Sequence, residues 1–364
     1  MNSLEIARTR LGSQQISDPH FNTVKDLVGW MGAMQAQDYH MAQWALGLRL
    51  PGFKLTDIKA AIDRGEIIRT HLMRPTWHFV SSEDIYWMLD LTASLVKAAT
   101  SSREKALGLS EAVFSKSNEV IQKALAGGNS LTRAELVSVL QGYQFATQDN
   151  RASHLFARAE LDGLICSGAI KNGKPTYALL EERVQRPKPL GREAALARLA
   201  KIYFSSHGPA TLDDFFWWSG LTLREARQAL EMVKHAFVSE LSDSQTYWFL
   251  ENASTPEPHM AKAYLVPAFD EFIISYKDRR ALDTSRFLRK AISENGFFRP
   301  TIVVDGQVKG VWKRSIKKDR VILDFDLFEL PDQAMPELLE EASQPLGYFL
   351  DKQPEINLNL KSFS

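Results

Sequence analysis

The fold class is predicted most clearly from residues 132–180, TRAELVSVLQGYQFATQDNRASHLFARAELDGLICSGAIKNGKPTYALL. Thr132 and Glu135 form a capping box, in which each side chain accepts a hydrogen bond from the other residue's backbone N–H, so a helix starts here. Asn172-Gly173 tolerates positive φ at both positions and predicts a tight β-hairpin. The predicted elements are two helices and two strands, at 132–141, 151–161, 164–170 and 176–180.

The same order of two helices and a hairpin occurs three times. In the third copy Thr211 and Thr222 start helices on either side of a break at Gly220, and strands follow at 237–241 and 246–250. The first copy is looser, with helices near 23–34 and 56–64 and strands at 67–71 and 76–80. Two helices and a hairpin are the parts of a winged helix, in which one helix enters a DNA groove and the hairpin contacts the backbone. The alternative is a generic α+β domain with three unrelated hairpins.

We therefore predict an α+β chain with three tandem winged-helix motifs and a C-terminal antiparallel β-rich region. The predicted units are residues 1–126, 127–190, 191–261 and 262–364. In the last unit, the apolar runs 301–304, 307–312 and 321–325 predict strands, and Asp305-Gly306 predicts a tight turn between the first two.

Composition is that of an ordinary soluble protein, with 45% hydrophobic and 24% charged residues among 364. The single cysteine, Cys166, excludes an intramolecular disulfide and a cysteine metal cluster. Neither a basic stretch leading into an apolar signal sequence nor an apolar run long enough for a transmembrane helix is present in the sequence. We expect a cytoplasmic monomer with no metal, cofactor or membrane partner.

Charge is balanced overall but unevenly distributed. The chain has 44 basic and 44 acidic residues, whereas residues 276–320 have 13 basic and 5 acidic ones, a net charge of +8. A neutral total can therefore conceal a basic face. We expect Lys277, Arg279 and Lys313 in this segment to contact DNA.

Two neutral amides, Gln35 and Gln37, are candidates for chemistry. Residues two apart share a face in extended backbone but not on a helix. Asp38 predicts the cap of a helix over 39–48, which leaves the glutamines in its extended entry. Their amide oxygens could orient one water and face a developing positive charge. The alternative is that these amides cap helix ends.

Basic residues mark two further places. On the first hairpin, Arg69, His71 and His78 are predicted to alternate outward, with Arg74 at a tip that could enter a groove; the alternative is a solvated charged turn. In the second unit, a stripe of basic residues on the second helix and the wing are predicted to bind phosphates. These residues are Arg151, His154, Arg158, Lys171 and Lys174. The third hairpin is acidic, which is typical of a scaffold.

At these residues the chain resembles the AlkZ-like DNA glycosylases, a bacterial winged-helix family. The matching segments are Gln35–Asp38, Arg69–Thr76, His207–Thr211, Trp217–Leu221, Pro267–Glu271, Tyr276–Arg279 and Arg299–Thr301. The resemblance implies three winged helices that make a concave DNA-binding surface. It also implies a catalytic glutamine–apolar–glutamine motif, which falls on Gln35 and Gln37.

The implied activity is excision of N-alkylated purines from double-stranded DNA, including some interstrand crosslinks. A sister group has aspartate at the second motif position, so Gln37 places this chain nearer the crosslink-excising branch. Such a base is cationic while it is bonded to the sugar and is released as a neutral molecule. Its departure therefore needs no proton from a general acid. No amine nucleophile is indicated, so we expect a monofunctional enzyme that does not cleave the strand. We also expect the protein to associate with the nucleoid. Pro75 stands where the family usually has glycine and is expected to stiffen the hairpin tip.

Two other functions are compatible with the residues. One is a non-catalytic winged-helix DNA-binding regulator, and the other is a protein-interaction scaffold whose basic patch binds an acidic partner. Excision of an alkylated base separates the enzyme from both, and a steep salt dependence of DNA binding separates the regulator from the scaffold.

Overall fold

A computed structural model describes residues 1–253, 261–282, 287–294 and 296–359. The helices in these ranges are α1 (Ser3–Ser13), α2 (Val24–Met31), α3 (Tyr39–Arg49), α4 (Leu55–Asp63), α5 (Ile85–Ala106), α6 (Glu111–Leu125), α7 (Arg133–Gly142), α8 (Arg151–Leu161), α9 (Leu180–Arg183), α10 (Arg192–Ser206), α11 (Leu212–Ser219), α12 (Leu223–Val233), α13 (Glu271–Ile274), α14 (Leu288–Ala291) and α15 (Met335–Leu350).

The strands in the same ranges form four sheets. They are β1 (Ala33–Gln35), β2 (Ile67–His71), β3 (Trp77–Ser81), β4 (Leu131–Thr132), β5 (Ile165–Ser167), β6 (Thr176–Leu179), β7 (Val238–Ser242), β8 (Gln245–Phe249), β9 (Ala263–Val266), β10 (Thr301–Val304), β11 (Gln307–Ile316), β12 (Arg320–Leu327) and β13 (Gln353–Asn359). The strand orders are β1-β3-β2, β4-β6-β5, β7-β8 and β13-β12-β11-β10-β9.

The local signals of the second and third units are confirmed. The Thr132 and Thr222 capping boxes start α7 and α12, and Gly220 ends α11 in the left-handed conformation at φ +66°. Asn172 and Gly173 have φ of +52° and +75°. Helices followed by an antiparallel hairpin thus occur in all three units. The sequence did not predict α1 or the long helix α5, which follows the hairpin of the first unit. None of the described helices is both long and apolar enough to cross a membrane.

The C-terminal region differs from the prediction. Strands β9 to β12 are antiparallel, and Asp305-Gly306 turns between β10 and β11 as expected. The last strand, β13, instead runs parallel to β12, with Arg320 opposite Gln353. The reason is α15, which packs on the sheet and returns the chain to the end where β12 began; such a crossover makes the next strand parallel. The prediction of a purely antiparallel region was therefore wrong.

The hydrophobic core joins elements that are distant in sequence. One buried cluster combines Trp44 of α3 with Trp312 of β11 and Phe349 of α15. The Trp44 and Trp312 indole N–H groups donate to the carbonyls of Leu265 and Val266, at 2.7 and 3.0 Å. These contacts hold β9, and therefore the short helix α13 that follows it, against the first unit.

Candidate active site

The Gln35-Ala36-Gln37 segment is extended at its start and ends in a bend. Gln35 ends β1 opposite His78 of β3, the Ala36 N–H donates to the Trp77 carbonyl at 2.7 Å, and Gln37 lies in the bend before α3. Ala36 is fully buried, Gln35 is half-buried and Gln37 is exposed. That the two amides share a face stays a prediction. No hydrogen bond to either side-chain amide is found within the described residues, so the amides do not cap a helix.

Asp38 and Arg69 hold the motif in place. The Asp38 carboxylate accepts from the backbone N–H groups of His40 and Met41 and caps α3, as predicted. The Arg69 guanidinium donates from Nε and Nη2 to the Ala36 carbonyl, at 3.0 and 2.9 Å, and lies 4.5 Å from the Trp77 ring centroid. That Arg69 contacts DNA stays a prediction; its guanidinium is hydrogen-bonded to the motif's own backbone, so we expect it to position the motif.

A buried carboxylate, Glu271 at the start of α13, lies behind the motif. Its Oε1 accepts from the Gln35 N–H at 2.6 Å, and its Oε2 accepts from the Trp218 indole at 3.1 Å and from the Ser275 hydroxyl. Burial opposes ionisation, but the nearby His207 imidazole, with the hydrogen bonds from Ser275 and Gln35, outweighs it and holds the Glu271 pKa at about 2. The His207 Nε2 atom lies 3.9 Å from the carboxylate, too far for a hydrogen bond. The ionised Glu271 carboxylate is therefore bonded directly to the backbone N–H of Gln35, the first glutamine of the motif.

His71 does not face solvent either. It is buried, its Nδ1 is hydrogen-bonded to the Glu160 carboxylate of α8, and its ring packs on Trp77 at 4.4 Å between centroids. The expected outward alternation is wrong here because α8 of the second unit packs across β2. His71 is a contact between the two units.

At the hairpin tip, Arg74 is also turned inward. It adopts φ +54°, and its Nε and Nη2 atoms are buried with no hydrogen-bond partner. His78 is fully buried; its Nδ1–H donates to the Thr76 carbonyl at 3.0 Å, which leaves Nε2 as an unpartnered acceptor. The prediction of a tip with outward-pointing Arg74 and His78 is therefore wrong, and only Pro75 is exposed there.

Comparison with known proteins decides the family. A profile described as DNA glycosylase AlkZ-like matches residues 28–348. The chain belongs to the AlkZ-like DNA glycosylase family. A protein of Streptomyces sahachiroi, the interstrand DNA cross-link repair glycosylase, is 23% identical over 346 residues, which cover 86% of this chain and 88% of that protein.

The solved structure of the Streptomyces sahachiroi DNA glycosylase AlkZ has the same fold. It superposes with a TM-score of 0.78 at 19% identity, covering 99% of this chain and 100% of the other. The protein is thus a DNA glycosylase, a hydrolase acting on N-glycosyl bonds.

In the glycosylase, the basic stripe on α8 is neutralised. The Arg158 guanidinium is bonded to Glu111 at 2.9 and 2.5 Å and to Asp162 at 3.1 Å. Arg151 donates to the carbonyls of Leu107 and Ala146, and His154 lies 3.7 Å from the Glu104 carboxylate. That this stripe binds phosphates stays a prediction; in the folded chain α8 packs against α5 and α6, and these contacts already engage its basic side chains.

The predicted lysines divide into two groups. Lys171 and Lys277 form exposed ion pairs with Glu135 and Asp213, at 2.7 and 2.9 Å. Lys174, beside the second hairpin's turn, and Lys313 of β11 are exposed and form no ion pair with any described residue. Arg279 is half-buried; its Nε donates to the Ile273 carbonyl at 2.8 Å, and its guanidinium lies over Trp217 and Phe298.

Three site residues escaped the sequence analysis. Glu271 falls in one of the family-like segments, so a signal for it existed, whereas Glu160 has none. Arg314 of β11 is largely buried, and burial lowers its pKa while the Asp38 carboxylate opposes the change. The β11–β12 hairpin thus brings a guanidinium close to the cap that follows Gln37.

We expect Arg69→Ala to slow base excision by roughly tenfold or more, because two charge-assisted hydrogen bonds to the motif are lost. The salt dependence of DNA binding should stay unchanged, since no phosphate contact is removed. Single-turnover excision and a salt titration of duplex binding measure the two effects. A salt slope lower by about one would instead make Arg69 a phosphate contact.

Lys174→Ala and Lys313→Ala should each lower the salt slope of duplex binding by about one, because each lysine is free to neutralise a phosphate. Arg158→Ala is the matched control: its guanidinium is already paired, so the slope should not change. A lower slope for Arg158→Ala with none for the lysines would restore the α8 surface as the DNA contact.

Proposed function

We propose that the protein hydrolyses the N-glycosidic bond of N-alkylated, positively charged purines in double-stranded DNA, including bases held in interstrand crosslinks, without cleaving the strand. In this proposal it acts as a monomer built on three winged helices, and Gln35 and Gln37 are its catalytic residues. The observation that carries the proposal is the pair of closely spaced Gln35 and Gln37 amides, which have no hydrogen-bond partner among the described residues and are backed by the ionised carboxylate of Glu271.

Neutral amides suit this leaving group. Alkylation at N7 or N3 makes the purine cationic, so it departs as a neutral base without being protonated. The C1′–N bond breaks, positive charge develops on the sugar, and a water oxygen bonds to C1′ while its proton passes to solvent. Amide oxygens of Gln35 and Gln37 can accept from that water and face the sugar's charge. A carboxylate in their place would bind the cationic ground state more tightly, which does not raise the rate of the chemical step.

The negative charge of Glu271, held on the backbone N–H of Gln35, also favours the development of positive charge on the sugar. It does not contact the departing base, yet it is oriented before the reaction and lies in a buried environment, where a charge acts more strongly than in water. Hydrolysis without strand cleavage is favoured by the groups bonded to the motif. Among the described residues these are Glu271, Arg69 and backbone of β3, and none is an amine that could form a Schiff base.

Two observations favour crosslinked substrates. The second motif position is Gln37, and the relative from Streptomyces sahachiroi bears the name of an interstrand DNA cross-link repair glycosylase. A base tethered to the opposite strand cannot be rotated into a closed pocket. Gln37 is exposed, so a tethered base can approach it without full extrusion.

The decisive experiment incubates the protein with a duplex that contains one N7-methylguanine and, separately, with a duplex crosslinked through N7 of two guanines. We expect abasic sites that break only after alkali treatment, and unhooked strands from the crosslinked duplex. Binding of either duplex without release of base would leave a DNA-binding regulator, and breakage without alkali would refute a monofunctional enzyme.

The protein's stability should depend on pH through His78. Burial, and less strongly the charge of Arg74, lowers its pKa from 6.5 to about 3. The unfolded chain binds a proton at His78 below pH 6.5, whereas the folded chain does not until about pH 3. The free energy of unfolding therefore falls as pH falls through this interval. Urea unfolding between these limits tests this, and His78→Gln should flatten part of the dependence.

A further inference from the structure

Arg74 is a buried charge without a counter-charge. Its Nε and Nη2 atoms are inaccessible to solvent and unpartnered, and no carboxylate forms an ion pair with it within the described residues. Two other deeply buried arginines behave differently: Arg49 is bonded to Asp270 at 2.8 Å through both Nη atoms, and Arg10 lies 3.6 Å from Asp214. Buried guanidinium groups normally have such partners, because desolvation of an unpaired charge costs several kcal/mol.

Among the described residues, the groups around Arg74 do not provide it with a counter-charge. A second guanidinium, Arg279, is close enough that each opposes the other's charge. The carboxylate that Arg74 senses, Glu271, is already occupied by Gln35, Trp218 and Ser275. Nearby, the Thr76 hydroxyl is also buried and unpartnered. The tip is held here by packing against Gly220 at the end of α11, where a Cβ would lie 3.6 Å from the Arg74 side chain.

This position matters for the chemistry, since Arg74 is at the tip of the β2–β3 hairpin, and His78 of the same hairpin pairs with Gln35. A positive charge beside a sugar that becomes positive raises the barrier to bond cleavage. An anion at the part of the Arg74 side chain that solvent reaches removes that penalty. Double-stranded DNA supplies such an anion at every nucleotide, and arginine binds phosphate through a planar pair of N–H groups.

We propose that Arg74, with Arg279 beside it, binds one backbone phosphate next to the scissile nucleotide, so that the substrate itself completes the charge balance of the site. This inference rests on the proposed glycosylase reaction at Gln35 and Gln37. It replaces the expectation of an arginine that wedges into a groove: the inward-turned side chain receives the strand and positions the sugar against the amides.

The direct test is a double-mutant cycle between the protein and the DNA. A single methylphosphonate, which removes the charge of one phosphate, is moved through the positions flanking N7-methylguanine, and single-turnover excision is measured with wild type and Arg74→Ala. At one position we expect a loss of roughly tenfold or more in wild type that disappears in Arg74→Ala. Arg280→Ala is the control, because its exposed guanidinium is paired with Asp278 at 2.7 Å; it should keep the wild-type pattern.

The unfolding temperature provides a second measurement, which distinguishes phosphate binding by Arg74 from a purely structural role. Without DNA, Arg74→Met should unfold at the same or a higher temperature than wild type, because an unpaired buried charge is replaced by an apolar chain of similar length. Excision should nevertheless fall. A lower melting temperature of Arg74→Met together with an unchanged methylphosphonate pattern would overturn the proposal.

The phosphate site and the reaction can fail separately. If wild type excises the base but no methylphosphonate position couples to Arg74, the phosphate site is refuted and the glycosylase assignment stands. If wild type excises nothing, the scan is repeated as binding to a duplex with a tetrahydrofuran abasic analogue. Coupling at one phosphate in that assay supports the site although the reaction has been refuted, and its absence refutes both.

Discussion

Replacing Gln37 with alanine is expected to abolish most base excision while leaving DNA affinity nearly unchanged. The exposed amide has no hydrogen-bond partner among the described residues, so its loss should remove a group that acts on water and on the developing charge, not a structural contact. Loss of one such oriented group costs on the order of 10²-fold or more in rate. Single-turnover excision of N7-methylguanine, with duplex affinity measured in parallel, tests both parts.

Gln35→Ala should act in the same direction, since we expect the Gln35 amide to face the same water as that of Gln37. The matched control is Gln122→Ala, an exposed glutamine on α6 outside the site, which should excise at the wild-type rate. Excision at the wild-type rate by Gln37→Ala would remove the glutamine motif from the mechanism. A parallel loss of DNA affinity would make Gln37 a binding residue instead.

Replacing Asp270 with alanine is expected to destabilise the protein by about 3–5 kcal/mol, because it leaves Arg49 buried without its counter-charge. Both side chains are fully buried, and the pair is bidentate at 2.8 Å. Asp270 also accepts from the Phe272 N–H at 2.9 Å and so caps the short helix that begins with Glu271. Urea unfolding measures the loss.

The double variant Arg49→Met with Asp270→Ala separates charge from packing. Removing both charges should recover much of the stability lost in Asp270→Ala, because the uncompensated guanidinium is gone. Excision should remain impaired, since the cap that positions Glu271 is missing. No recovery in the double variant would assign the loss to packing around α13 instead of to the unpaired charge.

Signals that act within a few residues were readable from the sequence. Capping boxes at Thr132 and Thr222, the Asn172-Gly173 turn and the Asp38 cap depend on groups one to three positions apart, and the structure confirms each. The extended backbone at Gln35 follows from the same local logic. The interpretation of the helix–hairpin units as winged helices stays a prediction, as do their domain boundaries.

The orientation of the basic side chains in the folded chain could not be predicted from such local signals. Arg69, His71, Arg74 and Arg158 were expected to face DNA, because alternation and helical periodicity place charged groups on the side away from their own element's core. That side is covered by other units: α8 crosses β2, and the hairpin tip packs against the end of α11. An outward face of one unit becomes an inner face of the assembled chain.

The sequence by itself indicated the family, through the segments that resemble it, and the helices and hairpins that local caps and turns specify. The charges around the two glutamines depend on the tertiary structure. Glu271 reaches the Gln35 N–H across 236 residues, and Arg74 turns inward to a site that holds no carboxylate for it. Such electrostatic contacts depend on distances and burial set by packing, and no local pattern of residues encodes them.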